Sequence, residues 1–429
     1  MSQAMRVGIL TPLLVGIVAG CATRRPCPSG HACPVSAEVG AGVEAIAEVT
    51  RRRTISPDLA DVASYETVRR TIAGTVASSQ FQAVDARQCQ CLAAANSALA
   101  NAIESESRLA MSQRGAACAE VQMAEIRAEL LALRAVEERN NAAADALELF
   151  YRLAEAESNR DLVQRSLEET DRVLSYIEQL KGGGVQTKAD QHAARRQKAD
   201  VLARQTEVRL SIAQLNGQLR HFLGFDSYEP TPIWPEADLK VTVDAVDVDA
   251  AIAEGLCRRA DLQGFGLLGN TLNQQSLPAV RQGLSLVNVV PGAPPEQSCG
   301  LGQICNRRDV FCEVQVRRRQ LNELHASREH LAAEEIRQAA AAVEARLQQI
   351  ALAKEKLDSW LGRIEWLRSK RGTGGVTAFD ISEAELRRIE SESELIHQVI
   401  AWRIAQVKLK KAQGLLAFEC GYDVAGRCR

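Results

Sequence analysis

The sequence predicts an all-α protein: long antiparallel coiled-coil helical hairpins in two internal repeats, with at most a short or degenerate β segment. Three observations carry this. Residues 116–181 and 303–361 contain neither glycine nor proline, the two residues that most disfavour a helix interior. A glycine-rich turn follows each of them, KGGGVQTKAD at 181–190 and RGTGGVTAFD about 190 residues later at 371–380. Aligning the two turns brings Ile212-Ala213-Gln214 within one residue of register with Ile404-Ala405-Gln406, the mark of a doubled unit.

The N-terminus reads MSQAMRVGILTPLLVGIVAGCATRRPCP. Arg6 supplies a charged start, and the apolar run 7–18 is too short to span a bilayer as a mature helix. Val18-Ala19-Gly20-Cys21 resembles the bacterial lipobox, so residues 1–20 are expected to be a lipoprotein signal peptide and Cys21 an acylated membrane anchor. Residues 21–83 lack a sustained period and read as anchor and tether. No later segment reaches 18 consecutive apolar residues, so no transmembrane helix is expected.

Export permits disulfides, and the chain has 12 cysteines. Cys27/Cys33, Cys299/Cys305 and Cys420/Cys428 can close small loops, though spacing leaves the connectivity open. Cys89-Gln90-Cys91 lacks the spacer and second ligand pair of a zinc or redox motif.

The first helical-hairpin repeat is expected over residues 84–225. VDARQCQCLAAANSALANAIESESRLA, 84–110, reads as an opening helix capped by Asp85. The long helix over 116–181 would extend roughly 100 Å, with Asn140-Asn141 as its weak point. Val163, Leu167, Thr170, Leu174 and Ile177 follow the four-three spacing of a coiled-coil seam. The glycines at 182–184 reverse the chain, and a return helix over 187–223 starts at Thr187.

Residues 226–247 form a proline-broken connection with one short strand at Leu239, Val241 and Val243. The second repeat spans 248–418, and 419–429 is a C-terminal tail. It opens with one helix over 248–270, followed by a loop in which GLSLVNVV is the strand candidate. Val343, Leu347, Ile350, Lys354, Leu357, Leu361 and Ile364 mark the second seam. Thr377 caps a return helix that ends near Phe418.

Other patterns reduce to structure. GFGLLG at 264–269 fits a dinucleotide fingerprint but lacks the preceding strand. His325 and His330 point to different helix faces without a third ligand, so no metal or other cofactor is expected. No nucleophile elbow or oxyanion signature is present, and the reading is not an enzyme. Arg51 to Arg53 and Arg317 to Arg319 read as solvated faces, with contact of the first run to anionic headgroups as the alternative. A formal net charge of −2 gives no basis for a nucleic-acid partner.

QCLAAANSALANAIE, the tip turns GVQTKAD and GVTAFDI, the helix ends RLSIAQLNGQLRHFLG and RIAQVKLKKAQGLLAF, and LCRRADL together resemble the TolC-type outer-membrane efflux factor family. LCRRADL is similar to the family's Arg-Pro-Asp-Leu signature, with Ala260 in place of proline. The resemblance implies a homotrimeric α-helical conduit in the periplasm, held at the outer membrane and working with a periplasmic adaptor and the inner-membrane pump of an efflux system. It places Gly184, Val185, Gly375 and Val376 at adaptor-docking tips and Asp190 and Asp380 at the aperture. Members also insert two β-strands per half to build a membrane barrel. Here residues 92–149 contain no aromatic and no alternating run, so those strands are expected to be reduced or missing. Such a chain has a second reading as a non-conducting coiled-coil scaffold of the envelope.

Overall fold

The computed structural model describes residues 81–112, 118–182, 191–226, 231–242, 245–287, 307–371 and 376–423. The chain begins there with a strand, β1 (Gln82–Asp85), pairing in parallel with β2 (Ile233–Glu236) so that Val84 lies opposite Pro235. A two-stranded ribbon tolerates that proline because both strands are edges. These are the only strands among the described residues. The strand expected at Leu239 and Val241 is absent, and Val243 lies outside the described residues. Both side chains instead pack against the seam of the second hairpin, so their alternation records one-sided burial without a strand partner.

Asp85 caps α1 (Ala86–Asn96) in a reciprocal box with Gln88, as its position predicts. The opening helix is broken at Ser97, and α2 (Ala98–Ser112) follows. Asn96 accounts for the break: its Nδ2 donates to the Leu223 carbonyl at 2.6 Å, capping the end of another helix instead of continuing its own.

The long helix α3 (Cys118–Gly182) runs through Asn140-Asn141 without interruption. Asn140 is buried, donates to the Lys411 carbonyl and accepts from the Leu416 N–H, which fixes this point instead of weakening it. α4 (Gln191–Leu223) returns along α3. The first seam differs from the predicted one: Leu162, Thr170, Val173 and Ile177 are buried, whereas Val163, Leu167 and Leu174 are half-buried. The reason is that α3 packs on both α4 and the second return helix, which spreads burial around it.

The second half opens with α5 (Val248–Arg258) and α6 (Ala260–Thr271), two helices where one was expected. The backbone is extended at Arg259 between them. The fingerprint-like glycines at 264–269 lie within α6, so no phosphate-binding loop forms there. The strand candidate GLSLVNVV is corrected: its first five residues belong to α7 (Leu277–Val287). Leu277, Val280 and Leu284 are buried at helical spacing in a core with Ile126, Leu130, Leu268, Val314 and Leu321. A helical end bundle thus occupies the body opposite the tips. Five residues separate α2 from α3, fewer than the ~9–11 of one membrane-spanning strand.

α8 (Arg307–Lys370) and α9 (Ala378–Gln413) form the second hairpin. Val343, Leu347, Ile350, Leu357 and Ile364 are buried as predicted, but Leu361 is 39% exposed and Trp360 takes its place. α9 ends before the expected Phe418, because Gly414 adopts a left-handed φ of 75° and starts α10 (Leu415–Glu419). The Cys420/Cys428 pairing is corrected too. Gln90 Nε2 donates to the Leu416 carbonyl and to Glu419, which holds α10 on α1 and allows a Cys91–Cys420 disulfide with Cα atoms 5.2 Å apart.

Candidate functional site

The four long helices lie in one layer. α3 has α4 on one side and α9 on the other, and α9 carries α8, giving the order α4, α3, α9, α8. Within the second hairpin the contact is apolar, centred on Val343, Leu347, Ile350, Leu395, Val399 and Trp402. Between the hairpins, α3 meets α9 in a buried apolar core that holds Leu147, Phe150 and Leu162 of α3 with Ile389, Ile396 and Ile400 of α9, and Asp145–Lys411, Glu155–His397, Asn159–Ser393 and Arg165–Glu392 pair alongside it. The layer therefore joins its two hairpins along an apolar line bordered by polar pairs.

α4 and α8 are its edges. Leu202 and Leu210 are exposed on α4, and Leu331, Leu352 and Trp366 on α8. The three on α8 are spaced by 21 and 14 residues, whole multiples of seven, so they stand on one line of the helix. Leu352 is 65% exposed, well outside the hairpin's own seam.

At the tip of the second hairpin, Thr377 and Asp380 form a capping box. Asp380 accepts from the Thr377 N–H at 2.8 Å and from its hydroxyl at 2.7 Å, and these bonds hold its carboxyl below the usual aspartate range. Val376 is half-buried beside Ile364 and Leu367. Cys21, Gly184, Val185, Asp190 and Gly375 lie outside the described residues, as do Thr187 and Arg51 to Arg53. An open groove of about 660 Å³ runs next to the tip between the end of α3 and the start of α9, lined by Asp171, Arg172, Tyr176, Phe379 and Ser382 among others. The exposed Trp366, with Arg363 stacked on its ring, was missed because heptad reading marks the buried seam and passes over the opposite face.

LCRRADL resolves into a charge network. Arg259, one of the most buried charged groups, donates to Asp261, Glu335 and the Ala412 carbonyl, and Arg328 joins the same two carboxylates. Burial alone would raise the Asp261 pKa, but the hydrogen bonds and charges of Arg259 and Arg328 lower it below the usual range. His325 lies near Glu329 and against Phe265, and no metal-binding group of side chains occurs among the described residues. No described helix is long and apolar enough to cross a membrane.

No family model matches the chain, and no curated protein matches it. Solved structures do. The open state of the MtrE outer membrane channel of Neisseria gonorrhoeae is similar with a TM-score of 0.56 at 12% identity, over 77% of this chain and 88% of that one. The CmeC outer membrane channel of Campylobacter jejuni gives 0.53 at 12% identity, over 72% and 69%. CusC, described in connection with transmembrane channel formation, gives 0.56 at 13% identity, over 79% and 94%. The fold of this chain is that of these outer membrane channels.

Proposed function

We propose that this chain is a TolC-like component of an efflux or secretion system: three copies close into an α-helical conduit in the periplasm, held at the outer membrane through acylated Cys21. The observation that carries this is the layer with two apolar edges on different helices. An interface between α4 of one copy and α8 of the next is heterologous, and such contacts generate a closed ring when the rotation closes. Leu202 and Leu210 on one side and Leu331, Leu352 and Trp366 on the other supply its apolar contacts. The fold shared with outer-membrane channels supports the same reading.

In this reading the tip residues Gly184, Val185, Gly375 and Val376 meet a periplasmic adaptor that connects to an inner-membrane pump. Asp190 and Asp380 border the aperture, where carboxylates favour cations. Asp380 is ionised at neutral pH as any aspartate is, and the Thr377 hydrogen bonds lower its pKa further.

The test is the mass of the mature chain carrying Cys21→Ser, measured by light scattering in detergent-free buffer. The parent should be a trimer, and Leu331→Arg, Leu352→Arg and Trp366→Arg combined should give a folded monomer of unchanged helicity. A parent that is monomeric or dimeric would favour the envelope scaffold, and a triple variant of unchanged mass would remove these edges from the interface.

A further inference from the structure

The start of α8 reads RRDVFCEVQVRRR, residues 307–319, in a chain whose formal net charge is −2. The stretch holds five arginines and two acids, and one of those acids is already used: Glu313 binds Arg281 and Arg317. That pairing and the burial of Arg317 correct the reading of 317–319 as one solvated face. Arg318 and Arg319 are exposed, with Arg318 donating to the Leu272 carbonyl at 3.3 Å. Between them and the helix start, Phe311 is 53% and Val316 55% exposed. Gln315, Arg319 and Cys312 fill the arc of the helix from Phe311 to Val316, and all three are exposed.

Single exposed apolar side chains are ordinary, but an apolar pair on one exposed arc rimmed by cations is the composition of an interaction surface. A second copy through the α8 edge does not fit. Phe311 and Val316 lie 20 and 15 residues before Leu331, out of step with the seven-residue line that Leu331, Leu352 and Trp366 share. An aromatic and an aliphatic side chain interleaved with arginines match the interface of an anionic bilayer. There the rings and methyls enter the headgroup boundary and the guanidiniums meet phosphate. The position fits as well. α8 is 64 residues long, so its start lies roughly 95 Å along the helix from the tip. Its inner face is held rigidly by the end bundle through Val314 and Leu321.

We infer that the start of α8 is a membrane foot, which seats the end bundle on an anionic lipid surface without crossing it. The inference stands whether or not the chain closes into a ring, and whether or not Cys21 is acylated. The test is flotation of the mature Cys21→Ser chain with vesicles of phosphatidylglycerol and phosphatidylcholine in equal parts, and with phosphatidylcholine alone. The chain should float with the anionic vesicles and much less with the neutral ones. Arg318→Gln with Arg319→Gln should lower the partition coefficient by about fivefold for each arginine. Phe311→Asp with Val316→Asp, both at exposed positions and thus compatible with folding, should bring binding to background at unchanged helicity. A chain that stays with the pellet overturns the foot, as does equal flotation of the Phe311/Val316 variant. If that variant instead changes the oligomeric mass in vesicle-free buffer, the face is a protein interface and the inference is wrong.

Discussion

Arg259 sits where α5 gives way to α6, its guanidinium shared among Asp261, Glu335 and the Ala412 carbonyl. It ties the second opening helices to α8 and to the end of α9. Arg259→Met would leave Asp261 and Glu335 with Arg328 alone in a largely buried place, and should cost about 3 kcal/mol, read as a fall in thermal midpoint. The pH dependence has a definite sign. The folded pKa of Asp261 is depressed, so its contribution is full above the unfolded value of about 4 and is lost as pH falls through the folded value. The parent should therefore lose more stability than Arg259→Met between about pH 5 and pH 2; equal losses would mean the network is not the source. The LCRRADL signature was legible in sequence because its charges are adjacent, but the partners Glu335 and Ala412 come from distant helices. The caps at Asp85 and Thr377 were equally legible, since a capping box spans only four consecutive residues. Cys89 and Cys91 show the opposite case. They are two residues apart, yet burial, reinforced by Asp85, pushes the Cys89 thiol up to about 12, while Cys91 is bonded to Cys420. Only the packing of α10 on α1 separates their fates.

Helices were legible where one face of a long period is buried, as along α8. They were not where a reading window cut an element in two. GLSLVNVV looks like a strand because it begins at Gly283, midway through α7, and so omits Leu277 and Val280. Two glycines test the packing of these helices with opposite signs. A Cβ at Gly283 would come within 2.7 Å of Leu268 Cδ2 and 2.9 Å of Leu130 Cδ1. Gly283→Val should then cost about 1–3 kcal/mol by overpacking and speed hydrogen exchange in α7. Gly362, within α8, has open space where its Cβ would be. Gly362→Ala should raise stability by roughly 0.5–1 kcal/mol through helix propensity. Thermal midpoints decide both, and a tolerated Gly283→Val would show that α7 is loosely held.

At the scale of the molecule, two hairpins meet along an apolar line bordered by polar pairs and expose apolar edges on α4 and α8. The doubling was legible from the repeated glycine turns. The order of the layer was not, because it depends on which hairpin face meets which, and heptads of similar character leave that choice open. The helical end bundle was half legible: missing aromatics argued against barrel strands, but nothing in the local pattern announced that α7 would close the end. In the proposed assembly such layers close on themselves around a lumen. Electron-microscopic end views of the mature Cys21→Ser chain test this most directly. The expected result is rings of three-fold symmetry with an open centre, four long helices per copy. Isolated layers, or paired rods with no lumen, would contradict it.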